Sequence, residues 1–111
     1  MVERGFSLME FLDEISFPVG TAMKANFKGY GKDLDETFLN EPATFYRILL
    51  QLYSGDEASA RAFLHLLAAT LSEKAGVFID PVEFAHVVES GDRERLVSII
   101  SMYLEKLQAQ R

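Results

Sequence analysis

The sequence predicts an all-α protein, a compact single-domain bundle of about five or six helices. Apolar residues recur every three to four positions along nearly the whole chain, which is the spacing of amphipathic helices. No segment alternates apolar and polar residues convincingly, as a half-buried strand would. With 111 residues, 49 % of them hydrophobic, the chain suits one core. We expect a single domain over 1–111, with an N-terminal helical region at 6–30 and a main bundle at 40–109.

The N-terminal region is expected to hold two helices. Pro18 separates them, because a proline disfavours helical geometry in the residue before it. The second helix is expected from about 20 to 27, followed by a single helical turn around 34–38. The apolar stripe of the first helix consists of Leu8, Phe11, Leu12 and Ile15.

The main bundle opens at a proline. Asn40 is expected to cap a helix that carries Pro42 in its first turn, where the missing N–H does no harm. That helix is expected over 43–53. Ser54 or Asp56 is the expected cap of the next helix, which ends at Gly76. Its apolar face is predicted to comprise Phe63, Leu66, Leu67, Thr70 and Leu71.

Two further helices follow. Asp80, Pro81 and Glu83 match a capping box, in which the acid at the third helical position reaches back to the N–H of the cap. Gly91 suits the left-handed residue after the end of that helix. The last helix is expected over 92–108. The short run GVFI (76–79) is predicted to be a loop packed on the core.

Bulk composition excludes several classes. The net charge of −6 repels nucleic acid and anionic membranes. The absence of cysteine excludes disulfides, thiolate nucleophiles and cysteine-based metal sites. The longest apolar run, 62–71, is about half the length that spans a bilayer. Early acidic residues argue against a signal peptide, so a cytoplasmic protein is predicted.

The spacing Glu83-x-x-His86 raises the question of a metal site. Residues three positions apart share a helix face, so a carboxylate and an imidazole could coordinate one metal ion. Di-iron bundles need a second such pair, and the only other histidine, His65, follows Ala62 at that spacing. Glu83 also has a capping role available. We therefore predict structural roles for these residues, and no metal or cofactor.

No catalytic constellation is visible either. The serines include no Gly-x-Ser-x-Gly elbow, and two histidines without cysteine give no recognisable triad. No residue is assigned a catalytic role, and the sequence favours a protein that is not an enzyme without deciding the question.

The stretch KANFKGYGK (24–32) interleaves basic and aromatic residues. Such a mixture can hold an anionic ligand, and its glycines could let backbone N–H groups approach a phosphate. It is not a P-loop, because Asn26 and Asp33 occupy the decisive positions. A solvated connection is the competing interpretation. The candidate ligand-binding residues are Lys24, Lys28, Tyr30 and Lys32.

Two helices carry more apolar side chains than their core-facing stripes require, and this feature points to a role. Helix 43–53 is apolar on nearly every face, and the last helix has apolar residues beyond its main stripe. Such surfaces are covered within the monomer, by an apolar ligand, by another protein or by a second copy. Symmetric dimers are the commonest solution, so a homodimer is predicted. The candidate interface residues are Tyr46, Leu50, Tyr53, Val97 and Leu104.

About two thirds of the chain, 38–76 with 80–101, resembles small archaeal all-helical modules that serve as output domains of signalling proteins or have no assigned role. The resemblance is carried by Pro-x-x-Phe-Tyr-x-x-Leu, here Pro42, Phe45, Tyr46 and Leu49, and by a glycine before a second amphipathic helix. It implies an all-helical module with an interaction or regulatory role and no catalysis.

Overall fold

The computed structural model describes residues 19–109, with side chains from residue 22 onwards. This part of the chain forms six helices and no strand, which confirms the predicted all-α bundle. The first predicted helix, with Leu8, Phe11, Leu12 and Ile15, lies outside the described residues. The helices are α1 Val19–Gly29, α2 Leu34–Asn40, α3 Pro42–Leu52, α4 Glu57–Ala75, α5 Pro81–Ser90 and α6 Arg93–Ala109.

Aspartates begin four of these helices. The carboxylates of Asp33, Asp56, Asp80 and Asp92 each accept a hydrogen bond from a backbone N–H two or three residues further on, at 3.0–3.1 Å. Each bond satisfies a donor that has no partner inside the helix. At the other ends, Gly76 and Gly91 adopt the left-handed conformation after α4 and α5, which confirms the prediction for Gly91.

The predicted cap of α3 was wrong. Glu41, not Asn40, precedes the helix, and it makes no side-chain capping bond. Asn40 instead ends α2, and its Oδ1 accepts a hydrogen bond of 2.9 Å from Arg93 at the start of α6. The reason is that the turn around 34–38 continues for two turns, to Asn40. Pro42 does occupy the first turn of α3, as predicted.

Four phenylalanine rings form the centre of the core. Phe45 of α3 stacks on Phe27 of α1 at 5.4 Å between centroids and meets the edge of Phe38 of α2 at 5.0 Å. Phe38 also lies 6.3 Å from Phe84 of α5. All four side chains are fully buried, so each ring contributes its whole apolar surface to stability. Residues from all six helices belong to this one core.

Helix α4 is rotated relative to the predicted face. Phe63, Leu67 and Leu71 are buried as expected, but Leu66 is 54 % exposed. Thr70 is only half-buried, and its hydroxyl donates to the Leu66 carbonyl. The buried face instead includes small residues at Ala60, Ala68 and Ala75. A prediction from apolar periodicity assigns leucine to the buried face before alanine. Close packing between helices instead favours the small side chain of alanine at the contact.

Gly91 provides a test of the packing between α5 and α3. Its φ is +76°, and a Cβ placed there would lie 2.9 Å from the Ala43 Cβ. Gly91→Ala should therefore lower the free energy of unfolding by about 2–4 kcal/mol, through backbone strain and overpacking together. Urea denaturation followed by circular dichroism measures this change.

The matched control is Gly55→Ala. Gly55 has a φ of +83°, but a Cβ there would meet no atom within 4 Å. Only the conformational strain of about 1–2 kcal/mol applies to it. Equal losses for the two variants would show that contact with Ala43 does not matter.

Candidate functional site

The connection between α4 and α5 holds one aromatic side chain out in solvent. The Ser72 hydroxyl donates to the Ala68 carbonyl and accepts from the Ile79 N–H, both at 2.9 Å. These two hydrogen bonds direct the Ile79 side chain into the core, and the partly buried Val77 packs against the core. Phe78 lies between two inward-facing residues and is 79 % exposed. The predicted loop is therefore packed on the core except at Phe78, where the prediction was wrong.

Phe78 borders a cleft between this loop, α5 and α6. The cleft has a volume of about 190 Å³. Val82, in the first turn of α5, adds a side chain that is 68 % exposed close by in sequence. We call the cleft-lining set the Phe78 surface and define it by Phe78, Ile79, Asp80, Glu83, Arg95, Ser98, Ile99 and Met102. Met102 is also exposed, so apolar and sulfur-containing groups face solvent around the opening.

One ion pair crosses the Phe78 surface. The Arg95 guanidinium donates to the Glu83 carboxylate at 2.8 Å, joining α6 to α5. Both side chains are about half exposed, so the pair contributes little to stability. Glu83 therefore faces Arg95, whereas the predicted capping box had it reach back to Asp80.

The pair Glu83 and His86 does not belong to a metal-ligating cluster. Both side chains are exposed, and Glu83 is engaged by Arg95. Within residues 19–109 no group of three or more histidine, cysteine, aspartate or glutamate side chains converges as a metal site would require. His65, the other candidate, is half-buried on α4.

Three of the four predicted ligand-binding residues share a cleft. Lys24, Lys28 and Lys32 line an open depression of about 350 Å³ at the C-terminal end of α1. Tyr30 does not line this depression, because its hydroxyl donates to the Gln51 side chain on α3. The structure thus brings the lysines together and separates the tyrosine from them.

The backbone around the lysine cleft is not arranged for a phosphate. The N–H groups of Tyr30 and Lys32 donate to the Phe27 carbonyl, and that of Gly31 donates to the Lys28 carbonyl. These donors close the end of α1, so the expectation that they would approach a ligand was wrong. Lys32 also lies 3.5 Å from Glu41. The attraction for an anion therefore comes from the ammonium groups alone, and the Asp33 carboxylate in the same lining reduces it.

The predicted interface residues lie on two separate helices. Tyr46 and Leu50 are on α3, Tyr53 directly follows the end of α3, and Val97 and Leu104 are on α6. Both α3 and α6 pack against α2, α4 and α5. The two helices make no extensive contact with each other. All of these side chains except Tyr53 are half-buried.

Tyr46 lies in a polar corner between α3, α4 and α5. Burial raises the pKa of its phenol, and the charges of Glu89 and Glu57 add to that rise. Its hydroxyl is buried and has no hydrogen-bond partner among the described residues. The positive charge of Arg61, which pairs with Glu89 at 2.8 Å, offsets part of this rise in the pKa of Tyr46. The hydroxyl of Tyr46 is therefore covered by its own chain.

Tyr53 belongs to a small apolar groove. The groove has a volume of about 170 Å³ and lies between α1 and α3. Its other lining residues are Ala22, Met23, Leu49 and Leu52. Tyr53, one of the five predicted interface residues, thus borders an open apolar surface.

Comparisons with known proteins add no family assignment. No protein-family model, no curated protein and no solved structure matches the chain. In the described part of the chain, no helix combines the length and the hydropathy required to cross a membrane.

The sequence reasoning missed Phe78, Val82 and Met102. A usable signal exists in the run Val77-Phe78-Ile79, because an extended loop that buries its first and third side chains must expose the second. Val82 and Met102 carry no comparable signal, since an apolar residue on an amphipathic helix is ordinarily assigned to the buried face.

Truncation of the two neighbours Phe78 and Ile79 should change the free energy of unfolding by very different amounts. Ile79→Ala removes buried methyl groups and should lower the free energy of unfolding by about 2–5 kcal/mol. Phe78→Ala removes an exposed ring and should change it by less than about 0.5 kcal/mol. Urea denaturation at low protein concentration, where association does not contribute, measures both. A large loss for Phe78→Ala would contradict the exposed position of its ring.

Proposed function

We propose that this protein is a helical interaction module with a regulatory role, and that it self-associates through the Phe78 surface. The observation that carries the proposal is the exposure of Phe78, 79 % in a loop that is otherwise anchored to the core. Exposed apolar groups rimmed by polar ones mark sites of protein association. Aromatic side chains are also the residues most often responsible for binding energy at such contacts.

We take a second copy of this chain as the occupant, in line with the homodimer predicted from the sequence. With a net charge of −6, two copies repel each other at long range. The Phe78 surface carries one guanidinium, that of Arg95, against the two carboxylates of Asp80 and Glu83, so it is only weakly negative. Contact here adds only a small repulsion, and each copy offers both partners of an ion pair to the other.

The proposed module has no catalytic role and lies in the cytoplasm. The first statement follows from the lack of a recognisable catalytic constellation in the sequence, and the second from a cysteine-free, acidic chain. The resemblance to small archaeal signalling modules supports an interaction or regulatory role of this kind.

Binding of an anionic ligand is a second candidate function. It is favoured by the convergence of Lys24, Lys28 and Lys32 on one cleft. In a thermal-shift titration with inorganic phosphate and ATP, a ligand at a hundred times its Kd would stabilise the chain by about 2.7 kcal/mol. Lys24→Ala with Lys28→Ala should abolish that stabilisation. An unchanged melting temperature for both compounds would remove this candidate.

Self-association is tested by size exclusion with light scattering. At about 100 µM, a hundredfold above a micromolar Kd, the wild-type chain should have the mass of a dimer. Phe78→Glu should give a folded monomer, because it places a charge at the centre of the contact.

The control is Leu66→Glu. Leu66 is also an exposed apolar residue, at 54 %, but it does not line the cleft. This variant should keep the dimer mass. A monomeric wild type, or equal disruption by both variants, would refute the Phe78 surface as the contact.

A further inference from the structure

We propose that the segment before α1 docks its apolar stripe in the groove between α1 and α3 of the same chain. The stripe consists of Leu8, Phe11, Leu12 and Ile15, which lie outside the described residues. Its spacing is the one by which an amphipathic helix enters a hydrophobic groove. The inference goes beyond the proposed function, because the described residues that line this groove are not those of the Phe78 surface.

The groove is an apolar surface with a buried floor. Met23 and Leu49 belong to the core, whereas Leu52 and Tyr53 are exposed at the edge, beside Ala22 of α1. No charged side chain is among its described lining residues, in contrast to the Phe78 surface. Among the described helices, α1 packs extensively only against α2. The side of α1 that faces the groove therefore has room for a further packing partner.

The segment is attached next to this groove. Helix α1 begins at Val19, and Ala22 and Met23 of the groove follow within about one helical turn. Ile15 is the nearest residue of the stripe, and the chain from it to Ala22 reaches up to about 25 Å when extended. A segment on so short a tether is present at an effective concentration on the order of millimolar. A second copy in solution would have to compete against it.

Charge complementarity favours the same occupant. Helices α1 and α3 contain Lys24, Lys28 and Arg47 and no acidic residue. Residues 1–18 contain four acidic residues and one arginine, so the segment is negative. The acids closest to the two helices in sequence are engaged elsewhere. Asp33 caps α2, and Glu41 pairs with Lys32. In a chain of net charge −6, this groove thus lies between two positive helices, which attract the negative segment.

A single tryptophan tests whether the segment covers the groove. The full chain contains none, so Tyr53→Trp places its only indole at the groove edge. In this background, Phe11→Asp puts a charge into the stripe. It should shift the indole emission to longer wavelength and increase quenching by acrylamide, because the indole becomes exposed to water.

The matched control is Met9→Asp, which makes the same change of charge on an apolar residue outside the stripe. It should leave emission and quenching as they are in Tyr53→Trp alone. Equal effects of the two variants, or no effect of Phe11→Asp in a chain that circular dichroism shows to be folded, would overturn the proposal. The spectra are compared at about 1 µM and about 100 µM, on both sides of a Kd of roughly 10 µM. Shielding that appears only at the higher concentration would assign the groove to a second copy and overturn it as well.

Disulfide formation decides the matter if Phe11→Asp does not fold. The chain has no cysteine, so Leu12→Cys with Leu52→Cys introduces the only possible pair. A disulfide requires Cα atoms within about 7 Å of each other. Mild oxidation should therefore cross-link this pair within one chain, which a non-reducing gel detects. Met9→Cys with Leu52→Cys should cross-link more slowly, and equal rates for the two pairs would refute docking through the stripe.

Discussion

The fold depends on the packing of Phe45. Its ring contacts Phe27 and Phe38, and Phe38 extends the cluster to Phe84, so four helices are joined by one set of aromatic contacts. None of these helices exceeds 11 residues, a length at which an isolated helix is only marginally stable in water. Burial of the rings therefore stabilises the helices as well as the core.

The candidate site is a consequence of how that core closes at the end of α4. Ser72 satisfies the Ile79 N–H and orients the connection, and Ile79 enters the core beside α5 and α6. Phe78 is left outside by the alternation of the loop. The site thus lies on an anchored segment, and an aromatic side chain held in that way loses little conformational entropy on contact with a partner. The lysine cleft differs, since its cations are long flexible side chains that ordering would restrict.

Much of the architecture could be predicted from local patterns. Asp80, Pro81 and Gly91 mark the bounds of α5 because capping and left-handed geometry depend on a few adjacent residues. Asn40 was misassigned because α2 continues two residues further than its own sequence indicated. Leu66 was placed in the core because periodicity gives the width of an apolar face but not its rotation, which here follows from close packing at Ala60 and Ala68. The site was less predictable. Lys24, Lys28 and Lys32 were grouped correctly because they are close in sequence, whereas Glu83 and Arg95 come from different helices.

By itself, the sequence determined the helical class, most helix ends and the absence of cysteine chemistry, because these depend on composition and on residues within one or two turns. The tertiary structure alone decided which apolar side chains stay in solvent. Phe78, Val82 and Met102 are no less hydrophobic than their buried neighbours. Their exposure follows from the directions in which α5, α6 and the loop before α5 leave the core. That outcome depends on contacts between residues far apart in the chain, which no local pattern records.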